Sequence, residues 1–133
     1  MEYNIRKITK DDLLIIDDWW VGHKLTKPDR DLLPGQGLDG FIIEKTNAIA
    51  ACYIYLTNSK IAYIDFLISD PKYKNNDRDD VIKTLITACV DIALNLGNKI
   101  VWATSENKGV INKCKENGFN VSEQKHSIIY KKK

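Results

Sequence analysis

Three apolar, β-branched runs follow one another with almost nothing between them: Gly40–Glu44, Ala48–Leu56 and Ile61–Ser69. The breaks at Thr46-Asn47 and Asn58-Ser59 have hairpin length, so the middle of the chain is predicted to be an antiparallel meander. Pro71 ends that series. Beyond it Val81, Leu85, Cys89, Ile92 and Leu96 recur at helical spacing, widened by Ile82, Ile86, Ala88 and Ala93. This stripe predicts a helix over 79–96, closed by Gly97 in the left-handed C-terminal position. Ile100–Ala103 suits a short buried strand with Trp102 in the core. A second helix is predicted over 108–117, stopping at Gly118, with closing strands at Val121 and 127–131. Upstream, residues 3–8 suit a first strand. Thr9 can cap a helix through Trp20, with Asp11 and Asp12 in its first turn. From Val21 to Gly37 the signals are those of a loop. The order β-α-β-β-β-α-β-α-β-β predicts an α/β fold, a mixed sheet with helices on its faces.

Composition narrows the function classes. A chain of 133 residues, 44% hydrophobic and 29% charged, fits a single domain over 1–133 with one sizeable core. Its 20 Lys+Arg against 18 Asp+Glu leave a net charge of +2, which advertises neither nucleic acid nor an acidic membrane as the main partner. No apolar run approaches the roughly 20 residues of a membrane span, and the first residues do not resemble a signal peptide. Cys52, Cys89 and Cys114 are odd in number and lack a C-x-x-C, which argues against both a disulfide framework and a metal site. A soluble protein of a reducing, cytoplasmic compartment is expected. Lys131-Lys132-Lys133 reads as a solvated end.

Two local patterns turn this order into a resemblance. Asn107, Val110, Ile111, Gly118 and Phe119 are spaced like the Asn, helix and Gly-Phe that follow the fifth strand in the GNAT N-acetyltransferase superfamily. Residues 64–73, Ile-Asp-Phe-Leu-Ile-Ser-Asp-Pro-Lys-Tyr, look like that family's fourth strand and its exit into the cofactor loop. The resemblance covers residues 3–130. It implies a GNAT-like mixed sheet with splayed fourth and fifth strands, acetyl-CoA as cofactor, and acyl transfer to a small-molecule or protein amine. It also brings in the homodimers common among such domains.

The departure from the family lies after the fourth strand. The family's Arg/Gln-x-x-Gly-x-Gly/Ala turn holds the cofactor diphosphate on backbone N–H groups and a helix N-terminus. Here Lys74-Asn75-Asn76-Asp77-Arg78-Asp79-Asp80 takes its place. Lys74 stands in for the leading base, and Asn75 and Asn76 tolerate positive φ. No glycine is present, and Asp77, Asp79 and Asp80 put negative charge at the phosphate position. Helix capping accounts for them equally well. Small phage-type GNAT-like sequences show similarly eroded loops.

The resemblance also assigns roles. The backbone of Leu67, Ile68 and Ser69 would pair with the pantetheine arm, Lys74 and Arg78 would meet the phosphates, and Asn107 would bond the cofactor or a water. Asp65, the one acid in the fourth strand, is the candidate base, placed by alternation on the face of Tyr63 and Leu67. A solvated carboxylate is the alternative for it. Cys114 occupies the position of the family's general acid and equally suits packing, with Tyr63, Tyr53 or Tyr55 as substitute hydroxyls. Trp19, Trp20 and His23 fall where the first helix meets the acceptor-covering loop, and at most one of the tryptophans can face the core. The other readings are a non-catalytic GNAT-like binding module, or an enzyme with another acyl donor such as aminoacyl-tRNA, or one that modifies nucleobases.

Overall fold

The structure, a computed structural model, describes residues 2–105, 108–116, 118–122, 127 and 129–133. Its strands are β1 (Asn4–Lys7), β2 (Gly40–Glu44), β3 (Ala48–Leu56), β4 (Ile61–Ser69) and β5 (Ile100–Ala103), and neighbours in sequence order are neighbours in one sheet. The first four pair antiparallel, joined at β2–β3 and β3–β4 by the short turns foreseen. β5 joins β4 in parallel, because the helix α2 (Arg78–Asn95) crosses between them. The remaining helices are α1 (Asp12–Gly22) and α3 (Lys108–Glu116). This is an α/β arrangement, and the expected elements through α3 appear within a few residues of their predicted bounds.

Each face of the sheet has its own core. Val81, Leu85, Cys89 and Ala93 of α2 are buried against Ile43, Cys52, Ile54 and Ile64. That spacing of four residues is the helical stripe read from the sequence. On the opposite face Ile16 and Trp19 of α1 close over Ile42, Ala51, Tyr53 and Ile68. Cover on both faces explains why β3 reads as a nearly continuous apolar run rather than an alternation. Each fully buried aliphatic side chain contributes about 1.5–3 kcal/mol.

The anchoring of α1 differs from the expected cap. Asp11 makes no side-chain capping bond, and the Thr9 hydroxyl donates to Asp12 instead of accepting from the helix. Asp12 is buried and gathers donors: Arg6 at 2.7 and 2.9 Å and the Thr9 N–H at 2.7 Å. Hydrogen bonds from Arg6 hold its carboxyl down at about 2. A residue expected only to complement the helix dipole therefore ties α1 to β1.

Two further expectations fail. Gly118–Ser122, Ser127 and 129–131 carry no strand where closing strands were read. Ile129 and Tyr130 are almost fully exposed, so the alternation there has no burial to fix a register. Trp102 is not in the core but 51% exposed: among the described residues β5 has a strand neighbour on one side only.

Candidate functional site

The centre of interest is the second half of β4. Tyr53 pairs with Asp65 and Ala51 with Ile68, so Cys52 alone faces two residues of β4, a β-bulge. Phe66 carries it with φ +53°, in the left-handed region that a bulky side chain rarely occupies. The extra residue resets the alternation. Asp65 stays on the α1 face with Tyr63, Phe66 joins them there, and Leu67 turns to the α2 core. The sequence reading placed Leu67 beside Asp65, and the bulge is the reason it is not.

The same stretch loses its other neighbour. β5 pairs only with residues 61–64, because it ends at Ala103 after four residues while β4 runs for nine. Past Ile64 the β5-facing edge of β4 has no strand partner among the described residues. Pairing of the two strands thus stops at Ile64 and Ala103, where the resemblance expects them to splay. At the far end of β4 the His23 Nε2–H donates to the Ser69 carbonyl at 2.8 Å, and Arg78 donates to the Ser69 hydroxyl at 3.2 Å. The end of α1 and the start of α2 meet on that one residue. Leu67 and Ile68, whose backbone the resemblance gives to a cofactor arm, lie along the edge, partly buried and buried respectively.

Aromatic side chains cross the α1 face beside the freed edge of β4. Tyr55, Tyr63 and Trp102 stand in one cross-strand row, with the Tyr63 and Trp102 rings 5.7 Å apart at 74°. Phe66 bridges from Tyr55 (6.3 Å) to Trp20 (6.2 Å). Asp65 follows Tyr63 along β4, exposed, its Oδ1 accepting the Phe66 N–H at 2.7 Å. Two of the tyrosine hydroxyls are already engaged: Tyr53 donates to Gly37 and Tyr55 to Leu32, at 3.1 and 2.7 Å. Burial pushes both phenols up to about 12. Only Tyr63 of the three keeps its hydroxyl available as a substitute acid.

At the start of α2 the expected cap is absent. Asp77 makes no capping bond with its side chain. Its carboxylate accepts from the hydroxyls of Tyr73 (2.7 Å) and Tyr3 (3.0 Å) and pairs with Lys45. The Lys45 ammonium, followed by the Tyr73 hydroxyl, lowers its pKa to about 2. This clamp pins the loop to Tyr3, just before β1, and to the β2–β3 turn. No residue from Asp70 to Asp80 has positive φ, so Asn75 and Asn76 do not form the alternating turn that a phosphate nest requires. Lys74, Asn75 and Asn76 are exposed, and Asp79 and Asp80 occupy the first turn of α2. The residues here do not fit a diphosphate.

The remaining candidates scatter. Trp19 is buried in the α1-side core and cannot touch an acceptor, whereas Trp20 lies partly open against Phe66. Cys114 is half-buried on α3 beside Ile86 and Phe119, on the α2 side, and burial raises its thiol. Asn107 lies outside the described residues. What the sequence reading missed is Trp102 as an exposed partner of Tyr63, and the Asp77 clamp. Tyr53 and Tyr55 at spacing two in β3, with Tyr63 in β4, were a signal for the first, while the clamp joins residues 74 and 32 positions apart and has none.

No protein-family model and no curated protein sequence matches the chain. Solved structures do. It is similar to N-acetylglutamate synthase from Neisseria gonorrhoeae complexed with coenzyme A and N-acetyl-glutamate (18% identity, TM-score 0.69, 84% of this chain and 27% of that one). It is similar to ribosomal-protein-S18-alanine N-acetyltransferase from Escherichia coli (16%, TM-score 0.72, 91% and 79%). A Trypanosoma brucei acetyltransferase matches over 97% of this chain and all of that one (16%, TM-score 0.67). The chain spans about a quarter of the synthase and the full length of the trypanosomal protein. It has the fold of the GNAT acetyltransferases.

Proposed function

We propose that this chain is an acyltransferase that moves an acetyl or related acyl group from a pantetheine thioester, such as acetyl-CoA, to an amine. The observation that carries the reading is the freed edge of β4 beyond Ile64, opened by the early end of β5 and bulged at Phe66. An extended arm bearing amides can pair with such an edge as an added strand. The donor supplies the activated thioester. Asp65, exposed where β4 and β5 cease to pair, takes a proton from the acceptor ammonium. Tyr63, two residues away on the same face, is the nearest tyrosine whose hydroxyl is not already engaged among the described residues. The acceptors named for similar structures, a ribosomal-protein alanine among them, support an amine without choosing one. Free thiols at Cys52, Cys89 and Cys114 suit a reducing, cytoplasmic setting.

The fit to coenzyme A is divided. The arm suits the β4 edge, while the diphosphate meets Asp77, Asp79 and Asp80. The clamp at Asp77 favours one second reading, a non-catalytic module that has lost the cofactor. Calorimetric titration tests both. Wild-type protein should bind coenzyme A no more than about threefold tighter than pantetheine. Replacing Asp77 and Asp79 together by glycine removes two like charges and frees the loop backbone. It should strengthen coenzyme A binding at least tenfold with pantetheine unchanged, and lower the melting temperature because the clamp is gone. Failure of both proteins to bind either compound would overturn the acyltransferase reading in favour of the module.

A further inference from the structure

The row on the α1 face has a shape and a charge that select a ligand. Tyr55, Tyr63 and Trp102 are register partners on β3, β4 and β5, so their Cα positions span about 10 Å at the usual strand spacing. Two of them are open to solvent, Tyr63 at 39% and Trp102 at 51%. They meet edge to face, which leaves a shelf of ring surface rather than a closed stack. The shelf has no charge of its own. Among the described residues one carboxylate adjoins it: Asp65, two residues along β4, its Cα therefore about 7 Å from that of Tyr63. Its Oδ1 holds the Phe66 N–H, and it forms no ion pair among the described residues. An exposed carboxylate without a cation, beside rings whose faces attract cations, is complementary to an organic ammonium ion.

We propose that this shelf is the acceptor subsite, and that it takes a primary ammonium ion joined to a planar ring by a short chain. The inference rests on the acyltransferase reading for its role, though not for the binding itself. The spacing sets the ligand. A ring lying on the face of Tyr63 or of Trp102 has to reach within about 3 Å of the Asp65 oxygens with its ammonium, which at a Cα spacing of about 7 Å puts the nitrogen about 4–5 Å from the ring. A two-carbon chain covers that distance. The ammonium then sits where β4 and β5 cease to pair, and the β-bulge is what brings Phe66 onto the face of Asp65 there.

The test uses 2-phenylethylamine, read by tryptophan fluorescence and calorimetry with no acyl donor present. The comparison ligands are 2-phenylethanol, which keeps the ring without charge, and propylamine, which keeps the charge without a ring. Wild-type protein should bind 2-phenylethylamine at least tenfold tighter than either. Asp65→Asn should bring the amine down to the level of the alcohol. Trp102→Ala should erase the preference over propylamine and most of the fluorescence change. Both positions are exposed, and unchanged melting curves will show that the variants fold. Equal affinity for propylamine and 2-phenylethylamine, absence of binding, or an undiminished Asp65→Asn variant would each overturn the proposal. Because no donor is present, such a result leaves the acyltransferase reading to the pantetheine titration. Amine binding without pantetheine binding would overturn that reading instead.

Discussion

Asp12→Asn is the substitution whose cost can be worked most fully. Asp12 is 5% exposed and accepts four hydrogen bonds, from the two Arg6 nitrogens at 2.7 and 2.9 Å and from Thr9 N–H and Oγ1–H at 2.7 and 2.9 Å. Asparagine keeps the shape and one acceptor oxygen but loses the charge and the two-pronged contact with Arg6. In the folded protein the carboxyl titrates at about 2 rather than at its ordinary 3.8, chiefly through the Arg6 hydrogen bonds. A depressed carboxyl contributes stability that is complete above its unfolded pKa and lost as pH falls through the folded one. At neutral pH the difference amounts to about 2 kcal/mol. Roughly half of it is gone by pH 3. Bonds to a charged group, at about 1.5–3 kcal/mol each, give the same order. Arg6 retains Glu44 at 3.0 Å, which keeps the cost below that of a fully orphaned charge. Urea unfolding at pH 7 and pH 3 checks this: the variant should lose about 2 kcal/mol at pH 7 and about half as much at pH 3. An equal loss at both pH values would refute the electrostatic account and assign the effect to packing.

Two further outcomes are expected. Asp65→Asn should reduce turnover by roughly 10²–10⁴, read at saturating acceptor by thiol release, with stability within about 0.5 kcal/mol because the side chain is exposed; turnover within a few-fold of wild type would remove Asp65 as base. Gly40→Ala would bring a methyl within 2.8 Å of the Cys52 carbonyl and 2.7 Å of the Tyr53 ring, so a loss of about 3 kcal/mol in urea unfolding is expected, and a loss under 1 kcal/mol would show that β2 can shift away.

The elements through α3 were legible because their signals are local. The meander shows as apolar runs with hairpin-length gaps, and α2 as a four-residue stripe that ends at Gly97, whose φ of +100° is the one foreseen. The site was legible only where it follows from alternation. Alternation puts Asp65 with Tyr63, and it fails two residues later because a bulge usually announces itself by glycine and this one is carried by Phe66. Trp102 was read as buried because four apolar residues look alike in a central strand and an edge strand. The acidic residues before α2 were legible as charge but not as contacts. Helix capping, a local rule, was available to explain Asp77, while two of its three partners, Tyr3 just before β1 and Lys45 in the β2–β3 turn, are distant in sequence.

That last difference bears on how the two ends of a donor would be recognised. The freed β4 edge depends on the β3–β4 register, the left-handed Phe66 and the short β5. The clamp depends on Tyr3, Lys45 and Tyr73. No residue belongs to both sets, and their joining point is the Arg78 contact with Ser69. A grip on a diphosphate can therefore be lost without disturbing the freed β4 edge proposed to receive the arm. A carboxylate already satisfied by two hydroxyls and an ammonium also has little to gain from moving aside for a phosphate, which would add negative charge beside it. Under the proposed function, affinity for a donor would then rest on the β4 edge rather than on the start of α2.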